Sequence, residues 1–200
     1  MKKRNVIKEL KIVILFTGVI LSVFFSSCYY DYGVNENNYD LVATFYNKDY
    51  NFSNITKYVL IDSVIHFKQE GNVTRTHDTE ILSALQTNLN NLGWQRVYDT
   101  VQTKIVLAAG VTTSTTTVIS GSYPWWGYWG YNWYYPNYVY SYSYTIGTLG
   151  VFLTDLTTRS GSELPIHWNA IISGLIGDNV SQSRINSTIG QAFSQSPYLK

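Results

Sequence analysis

The side chains best suited to chemistry in this sequence are scattered. His66, His77 and His167 stand on separate stretches, with no HExxH helix and no paired metal-ligand spacing. Glu163 and His167 are four apart, and on a strand they would share one face, close enough to touch each other or a metal. A plain surface pair on a sheet is the simpler reading. Asp62, Asp155 and Glu163 are the carboxylates near expected strands, and each reads as a solvated or hairpin residue. The sequence has no G-x-S-x-G elbow, no phosphate-binding loop and no dinucleotide fingerprint. Gly127 and Gly130 are spaced glycines among aromatics. No catalytic residue, metal site or cofactor is therefore assigned.

One stretch does have chemical leverage. Residues 123–144, YPWWGYWGYNWYYPNYVYSYSY, hold four Trp and nine Tyr, and no acidic, basic or His residue occurs between Lys104 and Asp155. Buried fully, 13 such rings would remove on the order of 2,000 Å² from water, whereas monomers rarely expose contiguous apolar patches beyond a few hundred Å². Something must cover much of this surface. Pro124 and Pro136 break any continuous ladder and Gly127 and Gly130 permit sharp bends, so a folded aromatic loop with partly stacked rings is expected. Trp125, Trp126, Tyr128, Trp129, Tyr131, Trp133, Tyr134 and Tyr135 are the candidate binding residues. Four covers stay open: a glycan or peptidoglycan stacked on the rings, the headgroup zone of a membrane, an envelope protein partner, or the segment's own packing.

The N-terminus says where such a chain would reside. Lys2, Lys3, Arg4, Lys8 and Lys11 precede an apolar run of 14 residues, Ile12 to Phe25, which ends at Ser26-Ser27-Cys28. The run is short of the roughly 20 residues that a spanning helix needs, so it reads as an export signal over 1–27. Phe25-Ser26-Ser27-Cys28, with the only cysteine of the chain, resembles the lipobox of bacterial lipoproteins, Phe25 replacing the usual aliphatic residue. The resemblance implies cleavage before Cys28 and lipid on its sulfur and on the new amine, with several acyl chains making the attachment stable. The expected location is the bacterial cell envelope, anchored in the outer membrane. Without the leader, 14 basic residues lose five and 13 acidic ones lose one, leaving 9 against 12 and a net charge of −3. That balance excludes a nucleic-acid footprint.

The elements that must position these residues follow in order. Residues 28–38 read as a polar tether that could extend roughly 35–40 Å. Strands are expected at 40–47 and at 57–67, where Val59, Ile61, Ser63, Ile65 and Phe67 alternate onto one face. Ile81, Leu82, Leu85, Leu89 and Leu92 form one stripe of a helix over 78–92, capped by Thr76 or Asp78 and stopped at Gly93. Strands follow at 94–99, 103–119, 145–156 and 164–172. The last strand is read with Leu164, Ile166, Trp168, Ala170 and Ile172 on one face. A second helix from Asn179 to Gln195, capped by Asp178 or Asn179, carries Val180, Ile185, Ile189 and Phe193. The resulting fold class is α+β: a mainly antiparallel sheet with two helices packed on one face and the aromatic-rich loop inserted between two strands.

Tyr39-Asp40 before a strand, Phe52-Ser53 before Tyr58, Leu85, Leu89 and Leu92-Gly93 on the first helix, Gly147-Thr148-Leu149, Asp155 and the late Trp168 together resemble the DUF4136 lipoproteins. The resemblance implies one α+β domain over 39–198 in an envelope protein, and supplies no active site. The aromatic insertion at 123–144 and the ELPIHW stretch at 163–168 depart from the family's plainer pattern.

Two modification patterns remain. Five N-x-S/T matches, at Asn51, Asn54, Asn72, Asn179 and Asn186, read as chance in an Asn- and Thr-rich chain. Asp62-Ser63-Val64 and Asp99-Thr100-Val101 fit an envelope O-glycosylation pattern, and Thr100, in an expected turn, is the better candidate. The chain reads as a non-enzymatic binding or structural component. The other classes are a glycan-binding lipoprotein and an envelope hydrolase using carboxylates that the sequence does not reveal.

Overall fold

The computed structural model describes residues 41–67, 75–112, 116–119, 132–134, 141–144, 147–175 and 180–200, the three short middle stretches by their backbone alone. The leader, the tether and Cys28 lie outside the described residues. The strands are β1 (Leu41–Tyr46), β2 (Lys57–Leu60), β3 (Ile65–Phe67), β4 (Gln95–Val97), β5 (Ile105–Thr112), β6 (Thr116–Ile119), β7 (Asn132–Tyr134), β8 (Ser141–Tyr144), β9 (Thr148–Asp155) and β10 (Glu163–Ser173). Two α-helices, α1 (Asp78–Asn91) and α2 (Gln182–Ser194), complete the main elements. The fold is α+β.

The sheet is mixed rather than mainly antiparallel. Its order is β1-β10-β9-β5-β2-β4, with β3 also on β5 and β7 also on β10. β1, β10, β9 and β5 pair antiparallel in turn, but β2 pairs parallel with both β5 and β4, β3 with β5, and β7 with β10. The physical reason lies in α1, a crossover that carries the chain back so that β4 runs in the same direction as β2. Strand periodicity reports which face is buried; it does not report which strand lies alongside or its direction.

Long central strands buried on both faces explain the apolar runs. All eight residues of β5 are buried, as a strand covered on both sides requires. Ile105, Leu107, Ala109 and Val111 join Leu149, Val151 and Leu153, the α1 residues Ile81, Leu85 and Leu89, and the α2 residues Ile185, Ile189 and Phe193 in one core. Val59, Ile61, Val97, Val106, Ala108, Phe152, Leu164, Ile166 and Ile171 form a second cluster on the opposite face.

Two expected alternations are corrected by local irregularity. The stretch 57–67 is broken into β2 and β3, and Tyr58, Leu60 and Val64 point into the helix-side core while Val59 and Ile61 face the other way. In β10 the register shifts between Ile166 and Trp168. This bulge puts Leu164 and Ile166 on the second face and Trp168, Ala170 and Ile172 on the first. The stretch expected as one strand over 103–119 is also divided, into β5 and a separate β6 that pairs antiparallel with β8.

The helix ends differ in detail from the sequence reading. His77 takes the N-cap position of α1 without a side-chain bond, and Asp78 is already helical. Ser181, rather than Asp178 or Asn179, caps α2, its Oγ accepting the Arg184 amide at 3.2 Å. Gly93 closes α1 in the left-handed region at φ 88°. After α2, the chain turns at Pro197–Leu199 and locks onto the core. The Trp168 indole donates to Ser196 Oγ at 2.9 Å, Ser196 Oγ donates to the Ala192 carbonyl at 2.9 Å, and Tyr198 stacks on Tyr46 with ring centres 3.7 Å apart.

Candidate functional site

His167 is where the structure departs most from the sequence reading. Glu163 is exposed and His167 is 3% exposed, so the two do not make a surface pair. The bulge turns the imidazole inward to stack on Tyr50, ring centres 3.9 Å apart and planes 21° from parallel. Around it, Asn47 Nδ2 lies 3.4 Å from Nδ1, and Thr158 Oγ1 lies 2.9 Å from Nε2. The Tyr50 hydroxyl donates to Asp155 Oδ2 at 2.9 Å, while Asp155 Oδ1 accepts the Thr157 amide at 2.8 Å.

These bonds assign the tautomer. Asn47 Oδ1 accepts the Asp49 amide at 3.0 Å, which leaves the Asn47 NH₂ pointing at His167, so Nδ1 must accept. The Thr158 hydroxyl has one proton, which goes to the Asp155 carbonyl at 2.7 Å, so Nε2 carries its hydrogen toward Thr158. With no lone pair facing that hydroxyl, His167 is placed to hold Thr158 rather than to deprotonate it. Burial pushes the imidazole pKa down to about 4, the Asp155 charge opposing only in part. Burial also pushes the Tyr50 phenol well above its ordinary range, with the charge and hydrogen bond of Asp155 adding to it. The cluster is a hydrogen-bonded polar plug, a neutral imidazole and a phenol beside the Asp155 carboxylate, that joins the β9–β10 connection to the segment after β1.

The other histidines lie apart from it. His66 Nε2 is 2.8 Å from Asp78 Oδ1, whose other oxygen accepts from Arg75 Nη1 at 3.0 Å, so this pair fastens α1 to β3. Asp62 is exposed and pairs with Arg96, whose guanidinium also donates to Gln86 Oε1 at 2.6 Å and lies over the Tyr98 ring. Among the described residues no group of three His, Cys, Asp or Glu could hold a metal ion. Nor is any helix among them long and apolar enough to cross a membrane.

Of the aromatic candidates, Trp133 and Tyr134 belong to β7, whose backbone pairs parallel with Leu164 and Pro165. Trp125, Trp126, Tyr128, Trp129, Tyr131 and Tyr135 lie outside the described residues. The segment between β5 and β9 is therefore more than a loop, since it contributes β6, β7 and β8. Thr100 occupies the expected turn, where Asp99 Oδ1 accepts the amides of Val101 and Gln102, each at 3.0 Å. Sequence reasoning missed Asn47, Tyr50 and Thr158 as neighbours of His167, and it missed Asn169, which is 0% exposed in mid-strand. A polar residue inside an otherwise apolar run, Trp168-Asn169-Ala170-Ile171-Ile172, was the available signal.

The family profile of a domain of unknown function, DUF4136, matches residues 42–198. The chain belongs to the DUF4136 family. A crystal structure of a DUF4136 protein from Bacteroides thetaiotaomicron VPI-5482 superposes with a TM-score of 0.64 at 24% identity, covering 80% of this chain and 97% of that one. This neighbour supports the DUF4136 fold. A PDZ domain protein from Parabacteroides distasonis ATCC 8503 gives a TM-score of 0.45 at 12% identity, over 80% of this chain and 37% of that one. The PelC dodecamer from Paraburkholderia phytofirmans gives 0.42 at 12%, over 78% and 96%. No curated protein matches the chain.

Proposed function

We propose that this DUF4136 protein is a lipid-anchored component of the bacterial cell envelope, attached to the outer membrane through Cys28, and that it binds or scaffolds rather than catalyses. The observation that carries the anchor is the single cysteine directly after a basic, then apolar, leader at Phe25-Ser26-Ser27-Cys28. The tautomer of His167 supports a non-catalytic role, since the best-placed imidazole has both nitrogens engaged by neighbours. Binding falls to the aromatic segment, whose uncharged Trp and Tyr faces suit an envelope protein partner.

A second reading is favoured by the density of rings at 123–135: sugar rings stack on Trp and Tyr faces while phenol and amide groups meet hydroxyls, which makes glycan or peptidoglycan the ligand. Metabolic labelling with a radioactive fatty acid tests the anchor. Label on the full chain that vanishes in Cys28→Ser supports it, and an unlabelled wild-type chain removes it. Retention on envelope glycans, lost in Trp125→Ala with Trp129→Ala, separates sugar stacking from protein binding.

A further inference from the structure

The second apolar face of the sheet needs a cover that neither helix supplies. Leu164, Ile166 and Val106 are 0% exposed and Phe152 is 2% exposed, yet among the described residues neither α1 nor α2 contributes to their cluster. Both helices contribute to the opposite core. The path of the chain identifies what crosses here. β5 and β9 meet at the Thr112–Thr148 pair, so the segment between them leaves and re-enters at that end of the sheet. β7, however, pairs with Glu163–Pro165, next to Ile166, which faces Thr154 at the far end of β9. Between Thr148 and Thr154 a strand advances about 20 Å, so the segment must travel the length of the sheet and return. The return leg from Tyr134 to Ser141 can reach only about 25 Å even when extended. Little slack is left for β6 and β8 to point away.

Asn169 adds a chemical requirement. It sits between Trp168 and Ala170 of the first core and therefore points to the second face. There it is paired in register with Phe45 and Phe152. It is 0% exposed, and among the described residues neither its amide nitrogen nor its amide oxygen has a hydrogen-bond partner. A buried amide left in this state is costly, and a covering layer rich in phenol hydroxyls, indole N–H groups and backbone amides can satisfy both atoms while its rings cover the aliphatic surface.

We propose that the second face of the sheet is the docking surface for the chain's own aromatic segment, residues 120–140, with Asn169 as its polar anchor. This goes beyond the proposed function and does not depend on Cys28. It makes the inward rings a second core and leaves only the outward ones for any partner.

Hydroxyl-radical footprinting of the full-length protein, read by mass spectrometry, tests the docking. Tyr98, 76% exposed, and Tyr58, 0% exposed, serve as fast and slow standards within the same chain. Most aromatic residues of 123–135 are expected to label several-fold more slowly than Tyr98. They should accelerate several-fold in Ala108→Glu, which places a charge on the second face, and in Phe152→Ala, which opens it. Trp168 reports folding; if it loses protection in Ala108→Glu, Phe152→Ala is the variant read. Rapid labelling of the segment in the wild type overturns the proposal. So does slow labelling that the folded variant leaves unchanged, because the segment would then be packed elsewhere.

Discussion

At the scale of single residues, His167 sets an acid limit on stability. Its folded pKa of about 4 lies below the ordinary value of 6.5, so between those values the unfolded chain binds the extra proton. Stability from this group is therefore complete above the ordinary value and is lost as pH falls toward the folded one. Unfolding free energies from urea titrations across that window should decline, by at most about 3 kcal/mol for one histidine. His167→Gln, which can keep a donor and an acceptor near Asn47 and Thr158, should flatten the decline. A slope unchanged in the variant would remove His167 as its source. Nothing in the ELPIHW stretch of the sequence signals that this histidine is internal, because a one-residue bulge is invisible to periodicity. The spacing of Glu163 and His167 was legible, and its meaning reversed once the strand changed face.

At the scale of elements, the apolar stripes of both helices were readable because a helix reports its buried side through its own period. Ile81, Leu85, Leu89, Ile185 and Ile189 are all 0% exposed. The caps were not, since several polar residues precede each helix and local geometry selects among them. Most strands were legible too, but β7 and β8 lie in a stretch read as a loop, and strand partners were not legible, for β2 and β4 become neighbours only through the helix between them. The C-terminal turn carries no sequence signal beyond Pro197 just after the helix. It fastens β10 to α2 through Ser196, whose side chain is the described acceptor for the buried Trp168 indole. Ser196→Ala should destabilise the protein by about 1–3 kcal/mol, the range for stranding a buried donor. Chemical denaturation checks this, and a midpoint equal to wild type would show that the indole has another partner.

At the scale of the whole molecule, Asn37–Lys200 forms one compact unit. A chain beginning at Asn37 should therefore unfold in a single cooperative transition, followed by far-UV circular dichroism and by Trp fluorescence. Two separated transitions would show that the helix-side core and the second face melt independently. The family and the α+β class were legible from a diffuse set of residues, since they rest on burial pattern. The molecular role was not, because the most distinctive stretch has no charge and no reactive group to betray a ligand.

The pairing of β1 with β10 sets a timetable for biogenesis. Leu41 to Tyr46 is made well before its partners, Trp168 to Ser173. Until then the first strand has no ladder to join, and β5 likewise waits for β9 on one of its edges. A nascent chain of this topology stays open until β10 has emerged. Were the chain exported as proposed, it would still be threadable through a narrow channel in that state.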